Sequence, residues 1–519
     1  MKDFKVNFIK KNPFDKAMHC LLIGLFFLYI LLLIKTAWIG DDAYITFRTI
    51  DNFVNGYGLR WNVVERVQSY THPLWLFLLS AFYFFTNEIF FTSIILSLIL
   101  SIITILAILL YLSNSSENKM LILFAVIFSK AFLDYSTSGL ENPLTNLLLV
   151  MYLLVYFKGD VSKKNIFLLF FLSSLILLNR LDCVLLILPS LVYYLIKHRR
   201  KINFFIIVMG LLPFLFWELF SLWYYGFLFP NTAYAKLNTG IDKFDLMYQG
   251  MLYYYSSFKL DPLTLTFITI SLIFVVVNKY RKFLPFVIGV SLYLIYIILI
   301  GGDFMAGRFF ASPFLISLVI FAGQTIKSTK RYILLLFLII IIGAANIENL
   351  FIKNFGNIDK YGISDERLFY YRSSNLISGI KGISVPNFPN WVKSGKIARE
   401  ENLEFVSLYS IGFFGFYAGP NCFILDKLAL TDPFLSRLPT TNNWRIGHFF
   451  RELPDGYEET LKTGHNQIKN TNLAKYYDKI FLITRGDLWD WNRIREIWKI
   501  NTGQYNYLIQ NHFNNKLTN

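Results

Sequence analysis

Long apolar segments separated by short polar connections occupy the first two thirds of the chain. Eleven of these segments lie near residues 18 to 38, 73 to 112, 120 to 133, 140 to 157, 166 to 178, 183 to 196, 203 to 225, 262 to 278, 283 to 300, 308 to 325 and 331 to 346. A helix needs about 20 apolar residues to cross a ~30 Å hydrocarbon core. The pattern therefore predicts a polytopic α-helical membrane protein with about 11 transmembrane helices.

Two of these segments need interpretation. The first carries no small-residue cleavage site and runs directly into Asp41 and Asp42, which favours a retained helix over a signal peptide. The segment from 73 to 112 is long enough for two crossings. Because two crossings would reverse the side of every later basic loop, we expect one crossing and a piece that lies on the membrane surface.

Basic residues mark the connections that are expected on the cytoplasmic side. Five lysines precede the first segment, Lys2, Lys5, Lys10, Lys11 and Lys16, and short basic connections follow at 158 to 164, 197 to 201, 278 to 282 and 327 to 331. The positive-inside rule predicts a cytoplasmic N-terminus and puts Asp41 on the outer side. These clusters explain much of the net charge of +16. Because they are brief and separated by apolar segments, they do not indicate nucleic-acid binding.

Composition supports the membrane assignment and divides the chain in two. The 519 residues are 55% hydrophobic and 18% aromatic, with a mean hydropathy of +0.46, which is too apolar for a soluble globule. We expect a transmembrane catalytic domain at 1–346, with a first outer loop at 39–72, and an extracytoplasmic domain at 347–519. In this tail, Glu404–Tyr417 and Tyr477–Thr484 predict buried strands and Gly419–Asn421 predicts a turn, so a mixed α/β domain is expected.

The sequence lacks the motifs of several common classes of site. The three cysteines, Cys20, Cys183 and Cys422, are scattered and form no disulfide framework or CxxC spacing. The six histidines form no HExxH or paired motif. No P-loop, GxGxxG fingerprint or solenoid-type repeat is visible, which argues against a nucleotide-driven pump.

Charged residues at the ends of apolar segments carry the chemical signal, because ionisable groups at membrane depth are costly and usually functional. Asp41 and Asp42, in GDDAYITFR, directly follow the first segment. A further set shares the predicted outer side: Asp134, Glu141, Arg180, Asp182, Lys236, Asp303 and Arg308. Since random placement would put about half of them on the other side, their convergence predicts one shared cavity.

Acids and cations together at a membrane surface suit glycosyl transfer from a lipid-phosphate sugar. A carboxylate takes the proton from an acceptor hydroxyl, and cations stabilise the leaving phosphate. We predict that Asp41 is the base and that Asp42 positions the acceptor or a metal ion, since adjacent side chains rarely point the same way. Arg308, Arg180 and Lys236 are the candidates for the phosphate, the arginines because their planar fork matches phosphate oxygens.

An ordered series of motifs carries a family resemblance that spans most of the chain. The motifs are GDDAYITFR, NGYGLRWN, ERVQSYTHPLW, STSGLENPL, YYGFLFPNTAYAK, GGDFMAGRFF, IGFFGFYAGP, LDKLALTDP and WRIGHF. In this order they resemble the GT-C membrane glycosyltransferases, in particular the mycobacterial terminal β-(1→2)-arabinofuranosyltransferase type and its broader bacterial relatives. The chain departs from the pattern at Leu181, in Arg-Leu-Asp for Arg-Pro-Asp, and at Ala306, in Met-Ala-Gly for Met-Pro-Gly.

The resemblance implies a GT-C-like inverting transferase of the bacterial cytoplasmic (inner) membrane. It implies a polyprenyl-phosphate sugar donor, a cell-envelope glycan or glycolipid acceptor, and a catalytic aspartate in the first outer loop, a role that falls on Asp41 with Asp42 beside it. The further candidates for substrate binding are Arg308, Arg180, Asp182, Lys236, Glu141, Asp303 and His448. Asp41, Asp42 and Asp303 offer oxygen ligands for a divalent cation, Mg²⁺ or Mn²⁺. The prediction covers the hexosyl- or pentosyltransferase class and not the sugar.

Each functional assignment competes with a structural role for the same residues. Asp41 and Asp42 suit a helix cap, and Asp134 and Glu141 suit a helix N-terminus. Arg180 and Asp182 suit a structural ion pair, Lys236 suits an exposed loop charge, and Asp426, Asp432 and His448 suit structural roles in the tail. The aromatic residues Trp38, Tyr44, Trp61 and Trp75 around the first loop are candidates for stacking on a sugar ring or isoprenoid.

Two further functional classes remain open from the sequence. A flippase or polysaccharide exporter also has many spans and intramembrane charges, although the chain shows no matched repeat of broken helices and a carrier has little need for a large outer domain. A lipid-linked polymerase or ligase would place its catalytic Arg and His in a later outer loop. A purely structural membrane scaffold, with no catalytic or transport activity, is the remaining alternative.

Overall fold

The computed structural model describes residues 13–324, 328–345, 347–350 and 358–514, and they are mostly helical. Lys2, Lys5, Lys10 and Lys11 of the predicted cytoplasmic cluster lie outside the described residues. The helices of the first 200 residues are α1 (Pro13–Thr36), α2 (Asp41–Val54), α3 (Pro73–Thr86), α4 (Ile89–Ala107), α5 (Ser116–Phe128), α6 (Lys130–Asp134), α7 (Asn142–Lys158), α8 (Lys163–Asn179) and α9 (Val184–His198). Those that follow are α10 (Phe204–Tyr224), α11 (Asn231–Leu237), α12 (Lys243–Leu260), α13 (Pro262–Val277), α14 (Leu284–Leu299), α15 (Ala311–Ala322), α16 (Thr329–Ala345) and, at the start of the tail, α17 (Ile347–Leu350).

Several helices have the length and apolar composition of membrane spans. Among the described residues five qualify, Lys16–Thr36, Ile89–Leu112, Leu181–His198, Phe204–Tyr224 and Arg281–Leu299, and a sixth is added if α12 and α13, bent by 109°, count as one. This is typical of a membrane protein. The predicted number of 11 is not confirmed, because α5, α7, α8, α15 and α16 have only 13, 17, 17, 12 and 17 residues.

The ambiguous segment from 73 to 112 forms two helices. Asn87 lies between them with a left-handed φ of 50°, and the Glu88 carboxylate accepts hydrogen bonds from the N–H groups of Phe90 and Phe91 to cap α4. Only the second helix, extended by a π-helical turn to Leu112, reaches the length of a span. The surface position of α3 stays a prediction.

The tail is mainly helical as well. Its helices are α18 (Glu366–Tyr370), α19 (Leu376–Ile380), α20 (Ser394–Glu400), α21 (Gly412–Ala418), α22 (Tyr457–Thr463), α23 (Thr471–Arg485), α24 (Trp491–Asn501) and α25 (Asn506–Asn514). In the described part, β1 (Phe405–Leu408) and β2 (Phe423–Asp426) form one parallel pair, with Phe405 opposite Phe423. The predicted division of the chain near residue 346 and the α/β class of the tail stay predictions.

The two strand predictions in the tail have different outcomes. The run from Glu404 to Tyr417 contains β1 but continues as α21, and the turn predicted at Gly419–Asn421 separates α21 from β2. The second prediction, Tyr477–Thr484, is wrong, because these residues belong to α23. Its buried residues Leu473, Tyr476, Tyr477, Ile480, Ile483 and Thr484 recur every three or four positions, which is the helical period.

A buried arginine of α2 fastens the tail to the first loop. Arg48 donates to the carbonyl oxygens of Trp61, Gly415 and Cys422 at 2.8 to 2.9 Å, and its guanidinium lies 4.3 Å from the centre of the Trp61 ring. Because such a buried cation needs all of its hydrogen bonds, α2 and α21 are fixed against each other. The predicted catalytic loop and the tail therefore meet at one place.

Candidate functional site

A cavity of about 900 Å³ lies among α2, the end of α8, α9, α10, α11 and the segment before α15. The structure brings seven of the predicted residues to its wall: Asp42, Glu141, Arg180, Asp182, Lys236, Asp303 and Arg308. Another part of the wall is apolar and includes Leu177, Leu185, Phe214 and Trp217. The large cavity therefore combines charged groups with an apolar lining.

A second, smaller cavity of about 220 Å³ adjoins it beneath the tail. Its wall includes Asp41 and Asp42 from α2 and Glu366, Arg445 and His448 from the tail, together with aromatic side chains such as Tyr370 and Trp391. Asp42 and Lys236 line both cavities. These two side chains thus mark the junction between the large and the small cavity.

Asp41 begins α2, but its carboxylate caps a different helix. Gly40 holds the N-cap position of α2, and the two Asp41 oxygens accept hydrogen bonds from the N–H groups of Gly412 (3.1 Å) and Phe413 (2.7 Å) in the first turn of α21. A Cβ on Gly412 would lie 1.9 Å from the Asp41 carbonyl oxygen, so only glycine fits there. The predicted capping role is thus realised for Asp41, while its side chain also faces the small cavity.

Burial changes the proton affinity of Asp41. It raises the pKa of the carboxyl to about 7, against the hydrogen bond from Phe413, which lowers it; the neighbouring charge of Asp42 adds to the rise. A carboxylate with a pKa near neutrality is well matched to accept a proton at neutral pH. Asp41 therefore has a pKa that suits a general base, and its carboxylate also caps α21.

Glu141 is the centre of a buried charge cluster in the large cavity, although it stands at the N-cap of α7 without a side-chain capping bond. Its carboxylate lies 3.1 Å from Arg308 Nη2, 3.7 Å from Arg180 Nε and 3.5 Å from His72 Nδ1. Arg308 also lies 3.6 Å from Asp303. Glu141 therefore stands at a helix N-terminus, as its structural alternative predicts, while its carboxylate contacts Arg308, Arg180 and His72.

The predicted ion pair between Arg180 and Asp182 is present. Arg180 donates through Nε to Asp182 at 3.1 Å, and the Tyr293 hydroxyl donates to the same carboxylate at 2.7 Å. Within the described residues, however, Arg180 Nη1 and Arg308 Nε are buried without a hydrogen-bond acceptor. Such N–H groups at a cavity wall are suited to an anionic ligand.

Lys236 differs from the two arginines. It makes no ion pair with any residue that the structure describes, and its ammonium lies 5.7 Å from the centre of the Phe304 ring. Because it lines both cavities, it is an available cation at their junction. This position favours the predicted site role over an ordinary loop charge.

His448 and two neighbours from the tail line the small cavity. His448 packs edge-on against Phe304, with ring centres 4.5 Å apart, and burial, with the Arg445 charge, lowers its pKa to about 4, so the ring is neutral. Arg445 donates to the Gly362 carbonyl at 2.6 Å. Burial raises the pKa of Glu366 to about 8, and Ser364 donates a hydrogen bond to it.

Asp134, Asp426 and Asp432 lie outside both cavities. Asp134 ends α6, so the predicted helix N-terminus is wrong for it, and it forms ion pairs with Lys130 and Arg367. Asp426 accepts from the N–H groups of Leu428 and Thr431, and Asp432 accepts from those of Phe434 and Leu435. The predicted structural role holds for the two tail aspartates.

The four aromatic residues considered as candidates for stacking on a sugar or lipid are buried instead. Trp38, Tyr44, Trp61 and Trp75 are at most 1% exposed. Their faces are occupied by protein groups, such as Arg48 over Trp61, and Trp75 Nε1 donates to the Gly139 carbonyl. A stacking platform needs an open ring face, which these residues lack.

The predicted metal ligands do not form a protein-only metal site. Among the described residues, no group of three or more His, Cys, Asp or Glu is placed to hold an ion. Asp41 is held by two backbone N–H groups, and Asp303 accepts from the Phe304 N–H and faces Arg308. Asp41, Asp42 and Asp303 therefore do not converge as a cation site requires.

Sequence reasoning missed four wall residues. His72 directly precedes the apolar run at Pro73, and Glu218 lies inside α10, so the rule that singled out charged groups near apolar segments would also have found these two. Glu366 and Arg445 lie in the polar tail, where no apolar flank distinguishes them. Only the fold brings those two to the cavity.

Comparison with known proteins relates part of the chain to a curated enzyme. No protein-family profile matches the sequence. The terminal β-(1→2)-arabinofuranosyltransferase of Mycobacterium tuberculosis is 28% identical to the chain over 324 residues. The match covers 53% of this chain and 51% of the other, so the chain spans about half the length of the curated relative it matches. The resemblance carried by the ordered motifs is confirmed as a distant relationship between this chain and a mycobacterial arabinofuranosyltransferase.

Proposed function

We propose that the protein is an inverting, GT-C-like glycosyltransferase. It transfers a sugar from a polyprenyl-phosphate donor to a cell-envelope glycan or glycolipid on the outer side of the cytoplasmic membrane. The observation that carries the proposal is the junction at Asp42, where a cavity with arginines and an apolar wall meets a smaller cavity with acidic and aromatic groups. The distant relationship to an arabinofuranosyltransferase supports the reaction class.

The large cavity suits the donor. Its apolar wall, with Leu185 and Trp217, matches an isoprenoid chain, while Arg180 and Arg308 offer N–H groups to a phosphate. Glu141 fixes the orientation of both guanidinium groups and neutralises part of their charge. Lys236, which has no carboxylate partner among the described residues, then supplies the positive charge that a departing phosphate requires.

The small cavity suits the acceptor. A glycan end that enters beneath the tail would contact Glu366, Arg445 and the aromatic wall, and its hydroxyl would lie at the aspartate pair. In the proposed reaction Asp41 takes the proton from this hydroxyl while Asp42 orients it. The hydroxyl oxygen attacks the anomeric carbon from the face opposite the phosphate, the bond to the phosphate oxygen breaks, and the configuration inverts.

The test is sugar transfer by the purified protein in nanodiscs with a panel of polyprenyl-phosphate sugars. We expect the wild type to transfer from one donor class with inverted anomeric configuration, read by NMR of the product, and Asp42→Asn to lose transfer while its thermal unfolding midpoint stays unchanged. Retention of configuration, or equal transfer by the variant, would falsify the mechanism. Movement of a labelled lipid-linked sugar across the bilayer without any transfer would favour a carrier instead.

A further inference from the structure

A stripe of exposed tryptophan lies on α24 in the tail. Trp491 and Trp498 are 80% and 69% exposed, and the preceding Trp489 is 73% exposed. Trp491, Arg495 and Trp498 are spaced at i, i+4 and i+7 and share one face of the helix. The opposite face is buried through Arg493, Glu496 and Ile497. Three large aromatic side chains are thus left outside the protein core.

The helix is fastened to the end of α10. Arg493 donates to the carbonyl oxygens of Trp223 and Tyr224 at 2.8 and 2.9 Å, which are the last two residues of α10. Asn501 donates to the Gly226 carbonyl at 2.8 Å, and a Cβ on Gly226 would lie 2.3 Å from Ile483. Because the last carbonyls of a helix lack intrahelical partners, Arg493 completes α10 and fixes α24 beside it.

The stripe continues the outer face of α10. Met209, Phe216 and Trp223 recur every seventh residue and therefore share one face, and the first two are 40% and 64% exposed. Of the five helices with the length of a span, α10 has the smallest buried share. The Trp489 ring lies 5.2 Å from the Trp223 ring. The exposed tryptophans of the tail therefore extend the surface that α10 presents to lipid.

We infer that this face of α24 rests in the interfacial layer of the bilayer, with its tryptophan rings at the level of the lipid headgroups. Tryptophan concentrates in this layer because its ring is apolar and its N–H is polar. Arg495, between the two rings, reaches the phosphate level with its long stem. The occupant is the lipid surface, since the stripe is continuous with the end of a helix that has the character of a membrane span. The inference is independent of the proposed transfer reaction.

A contact-range quenching experiment tests it. The full-length protein, with Cys20→Ser to remove the exposed cysteine, carries a bimane label at Arg495→Cys and is placed in nanodiscs whose lipids bear a nitroxide at the headgroup. The matched control carries the label at Lys469→Cys, an exposed lysine just before α23. Since α23 has 15 residues, its far end at Arg485, four residues before Trp489, is about 22 Å from its start, which lies two residues after the control position.

We expect severalfold stronger quenching of the label at 495 than at 469, and a fall towards the control value when Trp491→Gln and Trp498→Gln are added. All three side chains are exposed, so unchanged thermal unfolding midpoints will show that the variants are folded. Equal quenching at both positions would overturn the inference, including the case in which another protein covers the stripe. Unchanged quenching at position 495 after both tryptophans are replaced would overturn the inference that these tryptophans hold the helix at the membrane surface.

Discussion

The two cavities differ in how their buried carboxylates are stabilised. In the large cavity, the carboxylate of Glu141 lies beside the guanidinium groups of Arg180 and Arg308, so its negative charge has two cationic neighbours. In the small cavity, Asp41 and Glu366 form no ion pair with any described residue and are held by backbone N–H groups and by the Ser364 hydroxyl.

This difference in ion pairing indicates which task each cavity is suited for. Paired charges hold fixed directions and keep their protonation state, which is what recognition of an anion requires. Burial raises the pKa of carboxyl groups that have no ion-pair partner, to about 7 for Asp41 and about 8 for Glu366, and such groups can exchange protons near neutral pH. In the proposed reaction the first cavity holds the phosphate and the second handles the proton.

The largest effect is expected from the aspartate pair. Asp42→Asn removes a carboxylate from the junction of the cavities with little structural cost, and Asp41→Asn removes the proposed base, so each should lower kcat of sugar transfer by about 10²–10⁴-fold. Asp41→Asn should in addition lower the unfolding midpoint, because an amide nitrogen cannot accept from the Gly412 or Phe413 N–H. Transfer kinetics and thermal unfolding of both variants separate the two roles. Full activity of Asp41→Asn would leave Asp41 as only the cap of α21.

The next effect concerns the Glu141 cluster. Glu141→Gln leaves Arg308 and Arg180 without their shared carboxylate, and loss of one partner of a buried ion pair costs about 3–5 kcal/mol. We expect a marked fall in the unfolding midpoint, measured in nanodiscs by intrinsic fluorescence. Adding Arg308→Met should recover part of the stability while transfer stays lost. If the double variant is as unstable as the single one, the loss of stability does not come from the unpaired charge of Arg308.

The structure also shows which parts of the site the sequence made predictable. Asp42, Glu141 and Arg308 were recognisable because each charge lies at the end of an apolar segment, and that rule does not depend on the fold. The pairing of Arg308 with Glu141 joins residues 167 positions apart, and the bond from Gly412 to Asp41 joins residues 371 apart. No local pattern encodes such distances.

Secondary structure shows the same limit. Several long apolar segments were correctly predicted as helices, because their composition alone requires backbone hydrogen bonds within the segment. The run from Tyr477 to Thr484 is helical although its pattern predicts a strand, since a short apolar run is compatible with either period. Extending the window back to Leu473 and to the Asn470 cap reveals the helix α23.

A stability measurement probes the small cavity without any substrate. Burial raises the pKa of Glu366 from 4.5 to about 8, so the folded state binds a proton that the unfolded state has lost between these two pH values. Stability contributed at this site should therefore fall as pH rises from about 4.5 to 8, by about 1.4 kcal/mol per unit, and stay level above 8. Glu366→Gln removes this dependence, so its unfolding midpoint should exceed that of the wild type by an amount that grows over the same range. A constant difference across pH 5 to 8 would mean that Glu366 is ionised in the folded protein throughout.

The smallest effect is expected at Lys236, which lines both cavities. Its substitution tests whether this lysine serves the phosphate in the large cavity or the acceptor in the small one. Lys236→Met removes one partly exposed cation, worth about 1 kcal/mol to a bound phosphate, so KM for the donor should rise about fivefold. KM for the acceptor should stay unchanged if the lysine serves the phosphate alone. Lys259→Met, at an exposed lysine of α12 outside both cavities, is the matched control and should alter neither constant. A rise in the acceptor KM instead would assign Lys236 to the small cavity and move the boundary between the two tasks toward Arg308.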